Sequence, residues 1–199
     1  NRRYPVLYLL HGFANDHHSW HRYGRANDIL DNLLAARKIE AFLVVMPLGY
    51  GGAQVNGDGT GIAPTADVRG DAALYERDLI EDIIPMIDRK YRTLADRKHR
   101  AIVGFSMGGG QAGRFGLRHL ETFSQIGIMS AGMAAAADGE PIATLAANAA
   151  KSNKLIDLLW IACGKEDTAL KGAKTLHDAL EQAGIKHTYL ETEGAHHWR

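Results

Sequence analysis

Cysteine is nearly missing from this chain: Cys163 is the single one in 199 residues. A lone thiol can neither close an intrachain disulfide nor assemble a thiolate metal site, so Cys163 reads as a small buried core residue. Charge of one sign is missing too, because 23 Lys and Arg residues balance 23 Asp and Glu residues. That balance leaves no field to recruit nucleic acid or an anionic membrane surface. No apolar run approaches the roughly 20 residues needed to cross a bilayer, and no charged segment followed by an apolar one opens the chain. Neither nucleic acid nor membrane is therefore expected as a partner, and a ligand has to be held in a pocket. What the chain does have is 46% hydrophobic residues, enough for one substantial core, and residues 1–199 read as a single domain. The run from Val6 begins within a few residues of the start, and the sequence stops at Arg199 just after a His-rich motif. Flanking strands and a last helix are accordingly expected to lie outside it.

Apolar runs alternate with helical patterns, which predicts an α/β fold with a mainly parallel sheet and helices on both faces. Val6 to Leu10 and Phe42 to Met46 are continuous apolar runs suited to strands covered on both sides. Further strands are expected at Ala101 to Gly104, Gln125 to Ser130, Leu155 to Cys163 and His187 to Leu190. Ile29, Leu30, Leu33 and Leu34 fall at helical spacing, as do Ile80, Ile83, Ile84 and Ile87 within 72–91. Pro85 removes a backbone donor inside the second of these helices and should kink or break it. Ala173, Leu176, Leu180 and Ala183 form a third apolar helix face, ended by Gly184. Two segments break the alternation: Leu48 to Gly70 is crowded with Gly, Asn, Asp and Thr, and Met133 to Asn153 is Ala-rich, suited to a short helical cap. Ligands of open α/β sheets bind beyond the carboxyl ends of the strands, so both segments are candidate pocket walls.

Gly104-Phe105-Ser106-Met107-Gly108 is a G-x-S-x-G pentapeptide between a short apolar run and a glycine-rich helix start. A serine on such a sharp strand-to-helix turn is a candidate nucleophile, and small neighbours let the helix pass close to the strand. An activated serine needs a base within hydrogen-bond reach and a third group to orient it. After the strand ending at Cys163 stand Glu166 and Asp167, and after the last strand stand His196 and His197, in the order Ser, acid, His. Asp167 also sits where a helix cap belongs, and position alone leaves capping and chemistry open. Between the two imidazoles His196 is favoured, because Gly194-Ala195 lets a turn deliver its ring while His197 points elsewhere. A zinc reading would require three or four convergent ligands, and His17-His18 is the only other histidine pair. The oxyanion of an acyl-transfer intermediate needs N–H donors. Met107, after the serine, supplies one; the loop His11-Gly12-Phe13 supplies the other through Phe13 N–H, with His11 shaping that loop.

Together Tyr4 to Gly12, Gly24 to Asn27, His99 to Gly109, Ala162 to Asp167 and Gly194 to His196 resemble the esterases of carbohydrate esterase family 1, most of all the feruloyl esterase modules attached to bacterial xylanases. The resemblance implies an α/β-hydrolase fold, with Ser106 as nucleophile, His196 as general base and acid, Asp167 as its orienting partner, and Phe13 with Met107 as the oxyanion hole. It implies no metal or organic cofactor, a small-molecule or polysaccharide ester as substrate, and a secreted or periplasmic setting. The family often has Gly-Gly-His followed by an acidic residue; here Ala195 and His197 take two of those places. Trp20, Met133 and Trp198 are candidate pocket side chains, with burial in the core as the other reading of each. An acetyl-xylan or short-chain acyl esterase, an acyltransferase of the mycolyl-transferring kind, and a non-catalytic carbohydrate-binding module on the same fold are the competing functions. A module that had lost its chemistry would have no need of the complete Ser, Asp, His order.

Overall fold

The computed structural model describes residues 2–51, 54–55, 62–63, 68–132 and 139–198. Its first strand, β1 (Val6–Leu10), leads through helices α1 (Ser19–Arg22) and α2 (Ala26–Ala35) to β2 (Leu43–Val45). A two-stranded antiparallel hairpin, β3 (Gln54–Val55) with β4 (Ile62–Ala63), lies inside the segment expected to be irregular. Helix α3 (Val68–Arg77) and α4 (Ile84–Lys90) precede β5 (Arg100–Phe105), which runs into α5 (Met107–Arg118) and β6 (Gln125–Met129). Then come α6 (Gly139–Ala146), α7 (Ala149–Leu155), β7 (Leu158–Gly164), α8 (Leu170–Gln182) and β8 (Thr188–Thr192). The described part of the Ala-rich segment, from 139 on, thus forms two short helices, and Leu155 closes the second of them instead of opening the next strand.

Six strands make one parallel sheet in the order β2-β1-β5-β6-β7-β8. The chain leaves β1 toward one edge and later crosses back to β5, so β1 and β5 are neighbours whose connections diverge. A crevice opens at such a switch point beyond the strands' carboxyl ends, where Leu10 is in register with Gly104. Right-handed crossovers assign α1 and α2 to one face and the later helices to the other. Under those later helices lies the core, with Tyr8, Leu10, Ile102, Ile126, Ile128 and Ile161 from the strands packed against Tyr75, Leu79, Phe115 and Leu176. On the opposite face Leu7, Val103, Met129 and Trp160 line an apolar groove of about 450 Å³. Helix α2 has no fully buried residue, so the cover expected on both sides of these strands is complete on one side among the described residues.

Pro85 acts as its chemistry demands. Its ring would clash with the Glu81 carbonyl in a regular α turn, and a π-helical stretch over Asp78–Ile83 widens the backbone ahead of it, leaving Pro85 in the first turn of α4. Helix α8 ends at Gly184, whose φ is 66°. Gly184 N–H donates to Glu181 O and Ile185 N–H to Leu180 O, the paired bonds of a Schellman stop, with Ile185 buried beside Leu180. That stop turns the chain back into β8 and so toward the His196 loop.

Candidate active site

Ser106 stands between β5 and α5 with φ 57° and ψ −119°, a backbone state that strains any residue with a Cβ by about 1–3 kcal/mol. Two glycines make the turn possible. A Cβ on Gly104 would lie 2.0 Å from the Gly108 carbonyl oxygen, and one on Gly108 would lie 2.4 Å from Leu10 O. The start of α5 is therefore in backbone contact with the ends of both β5 and β1, which brings the His11-Gly12-Phe13 loop against the serine. An ideal Cβ on Gly12 would sit 3.5 Å from Ser106 Cβ.

The other two groups arrive from neighbouring strands, β7 and β8, whose ends are in register at Gly164 and Thr192. Asp167 Oδ1 lies 2.8 Å from His196 Nδ1, and His196 Nε2 lies 2.7 Å from Ser106 Oγ. An ionised carboxylate can only accept, so Nδ1 carries the proton and Nε2 is left to accept the Ser106 hydroxyl. Asp167 is 5% exposed. Burial pushes its carboxyl pKa up, but bonds from the Ala169 N–H, the Ser130 side chain and His196 outweigh that and hold it below the ordinary range. The Ala169 N–H, just ahead of α8, donates to the same Oδ1 at 2.7 Å. The N-cap of α8 is Ala169, which has no side-chain cap, so of the two roles that position in the sequence left open, Asp167 takes imidazole orientation and braces the turn ahead of the helix with the same oxygen.

Glu166 makes no hydrogen bond to His196, whose ring is paired with Asp167 and Ser106. Its Oε2 accepts the Gly194 N–H at 2.6 Å, and Gly194 takes φ 112°, so the neighbouring acid grips the turn that delivers the imidazole. His197 is exposed, and its ring makes no hydrogen bond among the described residues. Phe105 packs 5.1 Å from the His196 ring and 4.5 Å from Trp198. Trp198 Nε1–H donates to Asn15 Oδ1 at 2.9 Å, and its ring meets Trp20 edge-on at 4.9 Å. Trp20 is buried and donates to Leu10 O, so both tryptophans tie the His196 loop to the loop after β1; burial is the better reading for Trp20. Sequence reasoning missed this tie and the part of Glu166, since Asn15 and Trp198 stand far apart along the chain. Met133 lies outside the described residues, as does most of 52–67.

The N–H groups of Phe13 and Met107 make no hydrogen bond among the described residues. Met107 is the first residue of α5, where helix geometry leaves the N–H without an intrahelical partner. His11 is 1% exposed; its Nδ1 faces Gly12 O at 2.9 Å, and its Nε2 accepts the Gly49 N–H at 2.9 Å. These contacts require a neutral ring protonated at Nδ1, and burial pushes its pKa below the ordinary value. His11 shapes the loop, as its place in the sequence suggests. Chemically, the arrangement offers a hydroxyl with a base to take its proton, an acid to hold that base, and unpaired N–H donors beside them.

Comparison with known proteins points the same way. The family described as "Putative esterase" matches residues 1–199. An endo-1,4-β-xylanase/feruloyl esterase of Xylanibacter ruminicola is 35% identical over 202 residues, covering 99% of this chain and 25% of that protein. An esterase of Mycobacterium tuberculosis is 26% identical over 242 residues, covering all of this chain and 50% of that protein. The chain therefore spans a quarter to a half of the length of these curated relatives. Among solved structures, a ferulic acid esterase superposes with a TM-score of 0.81 at 27% identity, over 100% of this chain and 80% of that one. The expected α/β-hydrolase architecture is the one observed.

Proposed function

The chain belongs to the esterase family that it matches over residues 1–199, and from that premise we propose that it is one catalytic domain, a serine carboxylic-ester hydrolase that releases hydroxycinnamates such as ferulate from plant cell-wall polysaccharide. The observation that carries the reading is the unbroken chain of contacts from Ser106 Oγ to His196 Nε2 at 2.7 Å and from His196 Nδ1 to Asp167 Oδ1 at 2.8 Å. The similarity to a xylanase/feruloyl esterase and to a ferulic acid esterase supports the acyl group. A polysaccharide ester also suits a secreted or periplasmic enzyme.

Ser106 Oγ attacks the ester carbonyl carbon while His196 Nε2 takes its proton, and the carbonyl oxygen becomes an oxyanion received by the Phe13 and Met107 N–H groups. Collapse breaks the bond to the alcohol oxygen. The alcohol leaves with the proton from His196, and Ser106 remains acylated. Water then attacks the acyl-serine as His196 takes one of its protons, and a second collapse releases the acid and returns the proton to Ser106. Asp167 keeps the imidazole in the tautomer that accepts at Nε2 and stabilises its charged form.

Turnover of methyl ferulate compared with p-nitrophenyl acetate tests the acyl group, and hydrolysis of the acetate alone would sink the hydroxycinnamate assignment. Labelling of Ser106 by a fluorophosphonate tests the nucleophile. A folded protein that stays unlabelled would instead favour a carbohydrate-binding role.

A further inference from the structure

The Gly12–Phe13 peptide is gripped by its carbonyl. Gly12 O faces the His11 Nδ1–H at 2.9 Å and accepts the Asn15 N–H at 3.2 Å. In a planar trans peptide the C=O and the following N–H project to opposite sides, so whatever holds Gly12 O aims the Phe13 N–H the other way. His11 is held in turn, because Gly49 N–H donates to its Nε2 at 2.9 Å. The Gly49 carbonyl then accepts the Gln111 Nε2–H at 3.0 Å. His11, Gly49 and Gln111 are all buried.

Gln111 lies on α5 four residues after Met107, one helical turn along. Its Oε1 is buried with no partner among the described residues. An orphaned buried amide oxygen is unfavourable, and an apolar side chain of the same length would avoid it. The bond to Gly49 O is what the amide contributes at this position.

We propose that Gln111 is a positioning residue for the oxyanion hole: through Gly49 and His11 it references the Phe13 N–H to the same helix that carries the Met107 N–H. The inference rests on the esterase reading above. It also ties the start of the segment running from Gly49 to the β3–β4 hairpin into the geometry of the hole. Burial, which favours neutral His11, suits a relay that needs Nδ1 to donate and Nε2 to accept.

The test uses Gln111→Met, which keeps the length and loses the donor, beside the wild-type chain on p-nitrophenyl acetate. Roughly a tenfold fall in kcat is expected, less than the 10²- to 10³-fold loss on removing a donor outright, with KM little changed. Affinity for a trifluoromethyl ketone, whose adduct carries an oxyanion, should fall by the same factor as kcat/KM, while affinity for the product acid stays constant. A folded Gln111→Met with unchanged kcat, or with a raised KM alone, overturns the relay. Should that variant not fold, 15N NMR of the wild-type imidazoles decides: His11 protonated at Nδ1 and bare at Nε2 supports the relay, and the opposite tautomer breaks it. A wild-type chain that hydrolyses no ester sinks the esterase reading first, and the relay with it.

Discussion

His196 and Asp167 meet through a single carboxylate oxygen, Oδ1, which accepts the imidazole N–H at 2.8 Å while it holds the Ala169 N–H at 2.7 Å. The backbone donor ahead of α8 thus fixes which atom of residue 167 faces the histidine. With Asp167→Asn, that donor still selects the amide oxygen, so the tautomer survives and only the negative charge is lost. The expected fall in kcat is roughly 10²- to 10³-fold, against about 10⁴ where an Asn also imposes the wrong tautomer. Asp167→Ala removes both and should reach the larger figure. Equal losses for the two variants in p-nitrophenyl acetate hydrolysis would show that Ala169 does not hold the orientation.

The adjacent histidines should separate cleanly. His196→Ala removes the group 2.7 Å from Ser106 Oγ and is expected to lower kcat by at least about 10³-fold. His197→Ala trims an exposed ring and should stay within about twofold, the range of surface substitutions. Ser106→Ala should abolish fluorophosphonate labelling while leaving the thermal transition in place, since it removes one hydroxyl and no packing. Comparable losses at both histidines would reassign the base.

Much of this site is legible from the chain because local rules write it. Gly104 and Gly108 are readable as glycines because an elbow needs backbone contact on both sides of Ser106, and a Cβ at either place would fall 2.0 or 2.4 Å from a carbonyl oxygen. The alternation of strands and helices, the break at Pro85 and the Gly184 stop follow from periodicity and from single-residue backbone chemistry. The π-helical stretch ahead of Pro85, the hairpin within 48–70 and the partners of Glu166, Gln111 and Trp198 do not. Glu166 and Asp167 are adjacent acids with equal claims until the sheet register sets Gly164 beside Thr192. Only then does one carboxylate meet Gly194 N–H and the other the imidazole. Gln111 reads as one more polar residue on a helix until the fold buries it against Gly49.

His11 and Asp167 give the stability an acid dependence with a definite sign. Burial holds the native pKa of His11 below its ordinary 6.5, so between those two values the unfolded chain binds more protons than the folded one. The contribution is complete above about pH 6.5, declines as the pH falls below it, and is gone once the native value is passed. Asp167, also lowered, adds a second decline that starts below the ordinary carboxylate value near 3.9. Comparing the Tm of wild type and His11→Gln from pH 7.5 to 5 isolates the first. The wild type should lose more Tm over that interval than the variant; parallel curves would mean that His11 titrates alike in both states.

Trp198 joins the two loops that have to stay in register. Its indole N–H holds Asn15, three residues past Gly12, and its ring lies between Phe105, which precedes the serine, and Trp20, which is anchored on Leu10 O. His196 is two residues before it, so a shift of Trp198 moves the imidazole relative to the Phe13 donor. Trp198→Phe keeps most of the packing and loses one hydrogen bond, a change of about 1 kcal/mol that should leave kcat within a few fold. Trp198→Ala removes the wedge from a half-buried site and is expected to destabilise by about 2–4 kcal/mol, at or below the usual range for a fully buried aromatic. If the ring serves only stability, kcat of the folded Ala variant at low temperature equals that of wild type. If it holds the two loops in register, kcat falls roughly 10- to 100-fold with KM nearly unchanged, because a misplacement of about 1 Å penalises the transition state far more than substrate binding.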